Sequence, residues 1–160
     1  MRVSNNVVSK ITNYQLKFVE YGSSEYQKAA RLRYRLFYQE HGIQFASIFD
    51  PQEKQSLHLV IKADTDWVLA YGRLDRKSFD EFQIYQMVVE PKYHRQGLGT
   101  TILQTLITIA TNRGASIIVL NARVAKMQFY EKHGFQSIGE VFASASTGVP
   151  HIKMQKKISR

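Results

Sequence analysis

The chain has 160 residues, 44% of them hydrophobic, and a formal charge of +9 from 22 Lys and Arg against 13 Asp and Glu, so one domain with a real core is the natural expectation. It has no cysteine, which excludes a disulfide scaffold, a thiolate metal site and a cysteine nucleophile, and fits a reducing, cytoplasmic setting. No apolar run reaches the length of a membrane span and MRVSNNVVSK lacks the apolar core of a signal peptide, so no membrane partner is expected.

Residues 1–13 show no period and read as a loose terminus. A short strand follows over 14–19, where Leu16 and Phe18 alternate with Gln15 and Lys17. Ser24-Glu25-Tyr26-Gln27 has the form of a capping box and opens a helix running to His41, where Gly42 stops it. Tyr26, Ala29, Ala30, Leu32, Leu36 and Phe37 form its apolar face, and Lys28, Arg31 and Arg35 its basic one. Residues 43–56 have no period and read as a loop or short irregular helix able to cover a site, with a turn at Asp50-Pro51. Strands over 57–62 and 67–74 are joined by a hairpin connection at 63–66, and a second turn at 75–80 leads into the best-marked stretch of the chain.

That stretch runs from Gln83 to Gly114. Its strand alternates Phe82, Ile84 and Val88 on one face with Tyr85, Met87 and Val89 on the other, breaks at Pro91 and passes through a basic turn holding Gly97 and Gly99. Leu98, Ile102, Leu106, Ile109 and Ala110 then mark a buried helix. Such a junction points the free N–H groups of the first helical turn, with the positive end of the helix dipole, at whatever lies above the loop, and a pyrophosphate fits there. The glycines let the backbone come close, and His94, Arg95 and Lys92 add charge. Taken alone, a G-x-G turn before a helix is more often only turn geometry.

A buried strand at 116–120, a helix over 124–132, a strand at 137–142 and a last strand at 151–158 complete the chain. In the last strand Ile152, Met154 and Ile158 face one way, and His151, Lys153, Gln155 and Lys157 the other; the small-polar run 143–150 is the turn before it. The helix after the central strand is a crossover to the 116–120 strand, so that pair should be parallel, and an α/β or α+β sandwich follows.

Three stretches together resemble the GCN5-related N-acetyltransferase (GNAT) superfamily. Val88 to Gly99 (VVEPKYHRQGLG) is similar to its acetyl-CoA signature, a strand followed by [QR]-x-x-G-x-[GA] and a helix. Phe129-Tyr130-Glu131-Lys132-His133-Gly134-Phe135 is similar to the family's F-Y-x-x-x-G-F. Leu32-Arg33-Tyr34-Arg35-Leu36-Phe37, with Glu40, Gly42 and Leu120-Asn121-Ala122-Arg123, resembles the ElaA and YjcF-like branch. In one departure from the signature, His94 stands where Gln or Arg is usual, which implies weaker or pH-sensitive binding at worst.

The resemblance implies a single α/β (α+β) domain whose mixed, mostly antiparallel sheet is flanked by helices, with the parallel pair at the cofactor cleft. It implies acetyl-CoA as donor and an amine-bearing small molecule or peptide as acceptor. Backbone of Met87, Val88 and Val89 would pair with pantetheine, His94, Arg95, Gln96, Gly97, Leu98, Gly99 and Thr100 would hold the pyrophosphate, and Asn121 would face pantetheine or cap a helix. Tyr130 would protonate the leaving thiolate, and Phe129 and Phe135 read as core. Glu40 is one candidate base, with Glu90 and His58 behind it; Arg33 lines the pocket or pairs with an acid. The first helix and residues 43–56 would shape the acceptor pocket, where Arg31 and Arg35 would repel polyamines and favour carboxylate-bearing amines. Two readings stand outside the enzyme class: a non-catalytic acyl-CoA-binding module, and, ranked last, a basic nucleic-acid binder without any recognised motif. The exposed edge of the last strand could pair with a second copy.

Overall fold

A computed structural model describes residues 13–159, so nearly all of the loose terminus expected at 1–13 lies outside the described residues. Strand β1 (Tyr14–Val19) precedes helix α1 (Ser24–Arg33); β2 (Leu57–Ala63), β3 (Val68–Arg76) and β4 (Glu81–Val89) form an antiparallel meander. Helix α2 (Leu98–Asn112) crosses to β5 (Ile117–Arg123), and α3 (Met127–Glu131), β6 (Gln136–Ala143) and β7 (Pro150–Lys157) follow. The strands make one sheet in the order β1-β2-β3-β4-β5-β7-β6. Among the described residues only β4 and β5 run parallel, as the crossover requires. The last strand is not an edge: β7 pairs with β5 on one side and β6 on the other, and β1 and β6 are the edges, which removes the ground for pairing copies through it.

The sheet has a core on each face. Leu98, Ile102, Leu103 and Leu106 of α2 pack with Leu59, Phe82, Ile84, Leu120 and Met154 on one side; Tyr26, Ala29 and Leu32 of α1 pack with Val60, Tyr71 and Val88 on the other. Fully burying each large apolar side chain stabilises the fold by about 1.5–3 kcal/mol. Helix α2 lies so close to β3 that a Cβ on Gly72 would stand 2.6 Å from Ile102 Cγ2.

Three local readings change. The cap of α1 is Ser23, whose hydroxyl accepts from Tyr26 N–H at 3.2 Å, one residue before the expected box. The helix does not continue as α to His41: it widens into a π turn at Tyr34–Tyr38, where Gln39 N–H reaches Tyr34 O, and tightens at Gln39–His41 before Gly42 at φ 71°. Strict alternation in β4 fails at Gln86, whose φ is 57°. The bulge sets Tyr85 opposite Arg73 but Val88 opposite Tyr71, three residues against two, so Met87 and Val89 join the face of Phe82 and Ile84 while Val88 turns to the α1 side.

Residues 43–56 form two short 3-10 turns. Asp50 and Glu53 cap the second reciprocally; the Glu53 carboxylate is buried and that of Asp50 half-exposed, and each pairs with a buried arginine. Glu53 Oε1 accepts from Arg33 Nη1 at 2.8 Å and Tyr26 OH at 2.9 Å. Arg73 donates to Asp50 and Asp75, with shortest contacts of 2.6 Å to each. Arg33 thus pairs with an acid. His58 Nε2–H donates to Glu53 O at 2.7 Å and Nδ1 accepts from Tyr71 OH at 2.6 Å, so this histidine is structural. Among the described residues no helix is long and apolar enough to cross a membrane.

Candidate active site

The parallel ladder between β4 and β5 stops at Ile84 and Leu120. Past that point β4 follows β3 through its bulge, while β5 follows β7 from Asn121↔Lys153 to Arg123↔His151, so the two strands part. The gap holds a cavity of about 280 Å³ whose walls include Tyr85, Gln86 and Met87 of β4, Leu120 and Asn121 of β5, and Tyr130 of α3. Glu90 N–H donates to Leu69 O at 2.7 Å, which makes Val89 and Ala70 a non-hydrogen-bonded pair and turns the N–H and C=O of Val89 away from β3.

Beyond β4, Pro91–Tyr93 make a 3-10 turn. His94 then donates Nε2–H to Val89 O at 2.9 Å, which ties the loop back to the strand end. Arg95 at φ 63° and Gly97 at φ 80° turn the chain into α2. No side chain caps this helix; its first internal bond is Thr101 N–H to Gly97 O at 3.0 Å, so the N–H groups of Leu98, Gly99 and Thr100 precede it. An added Cβ on Gly99 would meet Phe129 Cζ at 3.5 Å, ordinary contact, so neither packing nor a positive φ demands glycine there.

Tyr130 packs against Phe129 and Phe135, with ring centroids 5.1 Å and 6.0 Å away. Burial pushes its phenol up to about 12, so it keeps its proton at neutral pH. Asn121 belongs to β5 and lines the cavity; it is not a helix cap. Glu40 does not join this group: its side chain is 74% exposed and lies 3.3 Å from His41. Glu90 is paired with Arg35, and Arg31 lies over the Phe45 ring, so neither arginine lines the cavity. No residue of 43–56 lines it either.

Sequence reading missed much of the outer wall. The π turn brings in Phe37 and Tyr38, the 143–150 run contributes Ser144, Ser146 and Thr147, and Arg123, Lys126 and His151 bring polar and basic groups. Arg123 and His151 meet only because β5 and β7 pair in that register, and no local signal marks it. None of the described residues lining the cavity is an acid. Among the described residues, no group of three or more metal-ligating side chains is assembled.

The profile of the acetyltransferase (GNAT) domain family matches residues 26–158. The uncharacterized N-acetyltransferase YjcF of Bacillus subtilis is 32% identical over 127 residues, 78% of this chain and 87% of that one. The crystal structure of Escherichia coli ElaA superposes with a TM-score of 0.75 at 19% identity, covering 91% of this chain and all of that one (100%). An aminoglycoside 6'-N-acetyltransferase complexed with coenzyme A superposes with a TM-score of 0.70 at 18% identity, over 91% of this chain and 98% of that one. At those identities the two structures establish a shared fold.

Proposed function

The chain belongs to the GNAT acetyltransferase family, in its ElaA/YjcF-like branch, and from that premise we propose that it transfers an acetyl group from acetyl-CoA to a primary amine by direct attack on the thioester. The parting of β4 and β5 carries this reading, because it leaves one edge of β4 unpaired beside a cavity that also holds a protonated phenol. Met87 and Val89 offer that edge to the amides of a pantetheine arm, with Asn121 on the β5 side of the gap, while the backbone of Val88, next in register to the Val89 and Ala70 pair, turns to β3 instead. Val89 N–H, turned from β3, is the donor for a developing oxyanion. His94, Arg95, Gln96 and Gly97 lead into the uncapped first turn of α2, where Leu98, Gly99 and Thr100 present N–H groups to a pyrophosphate. His94 takes part through the tie to Val89 that shapes this loop.

Acetyl-CoA supplies an acyl group activated towards amines. Tyr130 holds the proton that the departing sulfur needs. The acceptor enters a cavity with Arg123 and Lys126 on its wall and no acid, which favours an amine that also bears a carboxylate over a free polyamine. With acetyl-CoA and a panel of amino acids, dipeptides and spermidine, the protein is expected to release thiol in step with an acetylated product. Carboxylate-bearing amines should react at least about tenfold faster than spermidine, equivalent to ~1.4 kcal/mol. Saturable acetyl-CoA binding with no acetylated product from any amine would instead make the chain an acyl-CoA-binding module.

A further inference from the structure

We propose that His151 is the general base, its Nε2 taking the proton of the acceptor's ammonium group; this rests on the acetyl-transfer reading above. An amine enters at neutral pH as an ammonium ion and cannot attack until it loses a proton. A group at the cavity that accepts that proton lets the reaction run well below the amine's own pKa. From the segment after α1 the cavity receives Tyr38, from β4 Tyr85, from β5 Arg123, from the following turn Lys126, from α3 Tyr130 and from β7 His151. Phenols, a guanidinium and an ammonium hold protons at neutral pH, and no carboxylate lines the wall among the described residues. Among the described lining groups the imidazole is the one suited to take one.

The geometry also fixes which nitrogen does so. His151 Nδ1 lies 2.7 Å from Val149 O, an atom that only accepts, so Nδ1 carries the hydrogen and donates it. In the neutral ring the lone pair is therefore on Nε2, on the ring edge away from Val149. The ring stacks on Phe142 at 6.0 Å between centroids and 27° between planes, which fixes its orientation. Arg123 stands opposite it in register and has its guanidinium over Phe37, 4.6 Å from the ring centroid.

The step balances as follows. One ammonium proton passes to His151 Nε2, and the freed nitrogen lone pair forms the C–N bond. The C–S bond breaks with its electron pair on sulfur, which takes the Tyr130 proton. The second proton that nitrogen loses on becoming an amide restores Tyr130, and His151 returns its proton to solvent. The products are an amide, a free thiol and one proton.

The test compares His151→Gln with the unaltered protein across pH, using the best amine from the panel. The unaltered protein should show kcat/KM rising with pH through an inflection that lies below the amine's own pKa. The variant should be at least about a hundredfold slower at pH 7, lose that inflection, and recover as pH approaches the amine's own pKa, with acetyl-CoA affinity unchanged. A variant whose profile runs parallel to that of the unaltered protein would overturn the proposal. Nitrogen NMR of the acetyl-CoA-free protein gives a second readout independent of turnover: a His151 ring protonated on Nε2 and bare on Nδ1 would overturn it as well. Absence of thiol release from the unaltered protein would be a failure of the acetyl-transfer reading, and the two failures are thereby told apart.

Discussion

Tyr130→Phe is expected to lower kcat by about a hundredfold or more while shifting the Kd for acetyl-CoA by less than about twofold. The substitution removes one oxygen and keeps the ring, so the edge contacts with Phe129 and Phe135 survive and the fold has no reason to change. What disappears is a proton held firmly at neutral pH, because burial has pushed the phenol up to about 12. A thiolate leaving without a proton donor makes the C–S cleavage step slow, and the defect should be relieved with an acyl donor whose thiol is more acidic. Pre-steady-state thiol release alongside calorimetric affinity measures both quantities. Equal losses in affinity and in kcat would reassign Tyr130 to packing.

Glu53→Ala should cost about 3–5 kcal/mol of stability, the range for breaking a buried ion pair by removing one partner. Glu53 is fully buried, and its carboxylate satisfies Arg33, Tyr26 and the Asp50 N–H together. Truncation strands the Arg33 guanidinium, itself 1% exposed, in a space it cannot leave. For a chain of this size the loss corresponds to a fall in Tm of roughly 6–20 °C, which calorimetry or urea unfolding reads directly. A loss under about 1 kcal/mol would mean that water reaches the network in solution.

The same network sets the acid side of the stability profile. Burial holds His58 below its ordinary value of 6.5, so the unfolded chain binds its proton first and stability declines as pH falls through that value. Burial alone would raise Glu53, but the hydrogen bond and charge of Arg33, with the Asp50 and Tyr26 contacts, outweigh it and hold the carboxyl below its ordinary 4.5. Its contribution is therefore complete above 4.5 and is lost below it.

Most elements were legible because hydrophobic period and punctuation agree: Gly97 and Gly114 bracket α2, and the crossover forces β4 and β5 parallel. Two insertions in otherwise regular elements were not. The π turn at Tyr34–Tyr38 and the bulge at Gln86 each change which side chains face which way, and neither leaves a mark in residue type, since non-glycine residues occupy both. Those two irregularities shape the cavity: one brings Phe37 and Tyr38 to it, and the other re-aims Met87. Tyr130 and Asn121 were found through motif resemblance, whereas Arg123 and His151 depend on long-range strand pairing. Asp50 and Glu53 read as loop residues because what they do is set by their partners, Arg73 and Arg33, which lie 23 and 20 positions away.

Calorimetric titration of acetyl-CoA into the protein and into Gly97→Val tests the central claim most directly. Among the described residues, nothing beyond its own chain neighbours lies within 4 Å of a Cβ placed on Gly97, so the fold meets only the strain of a branched residue at φ 80°, while the N–H groups entering α2 lose their alignment. The account predicts saturable one-to-one binding to the unaltered protein, weakened at least about tenfold, or ~1.4 kcal/mol, in the variant. No binding at millimolar acetyl-CoA, or equal affinity in the two proteins, would contradict it.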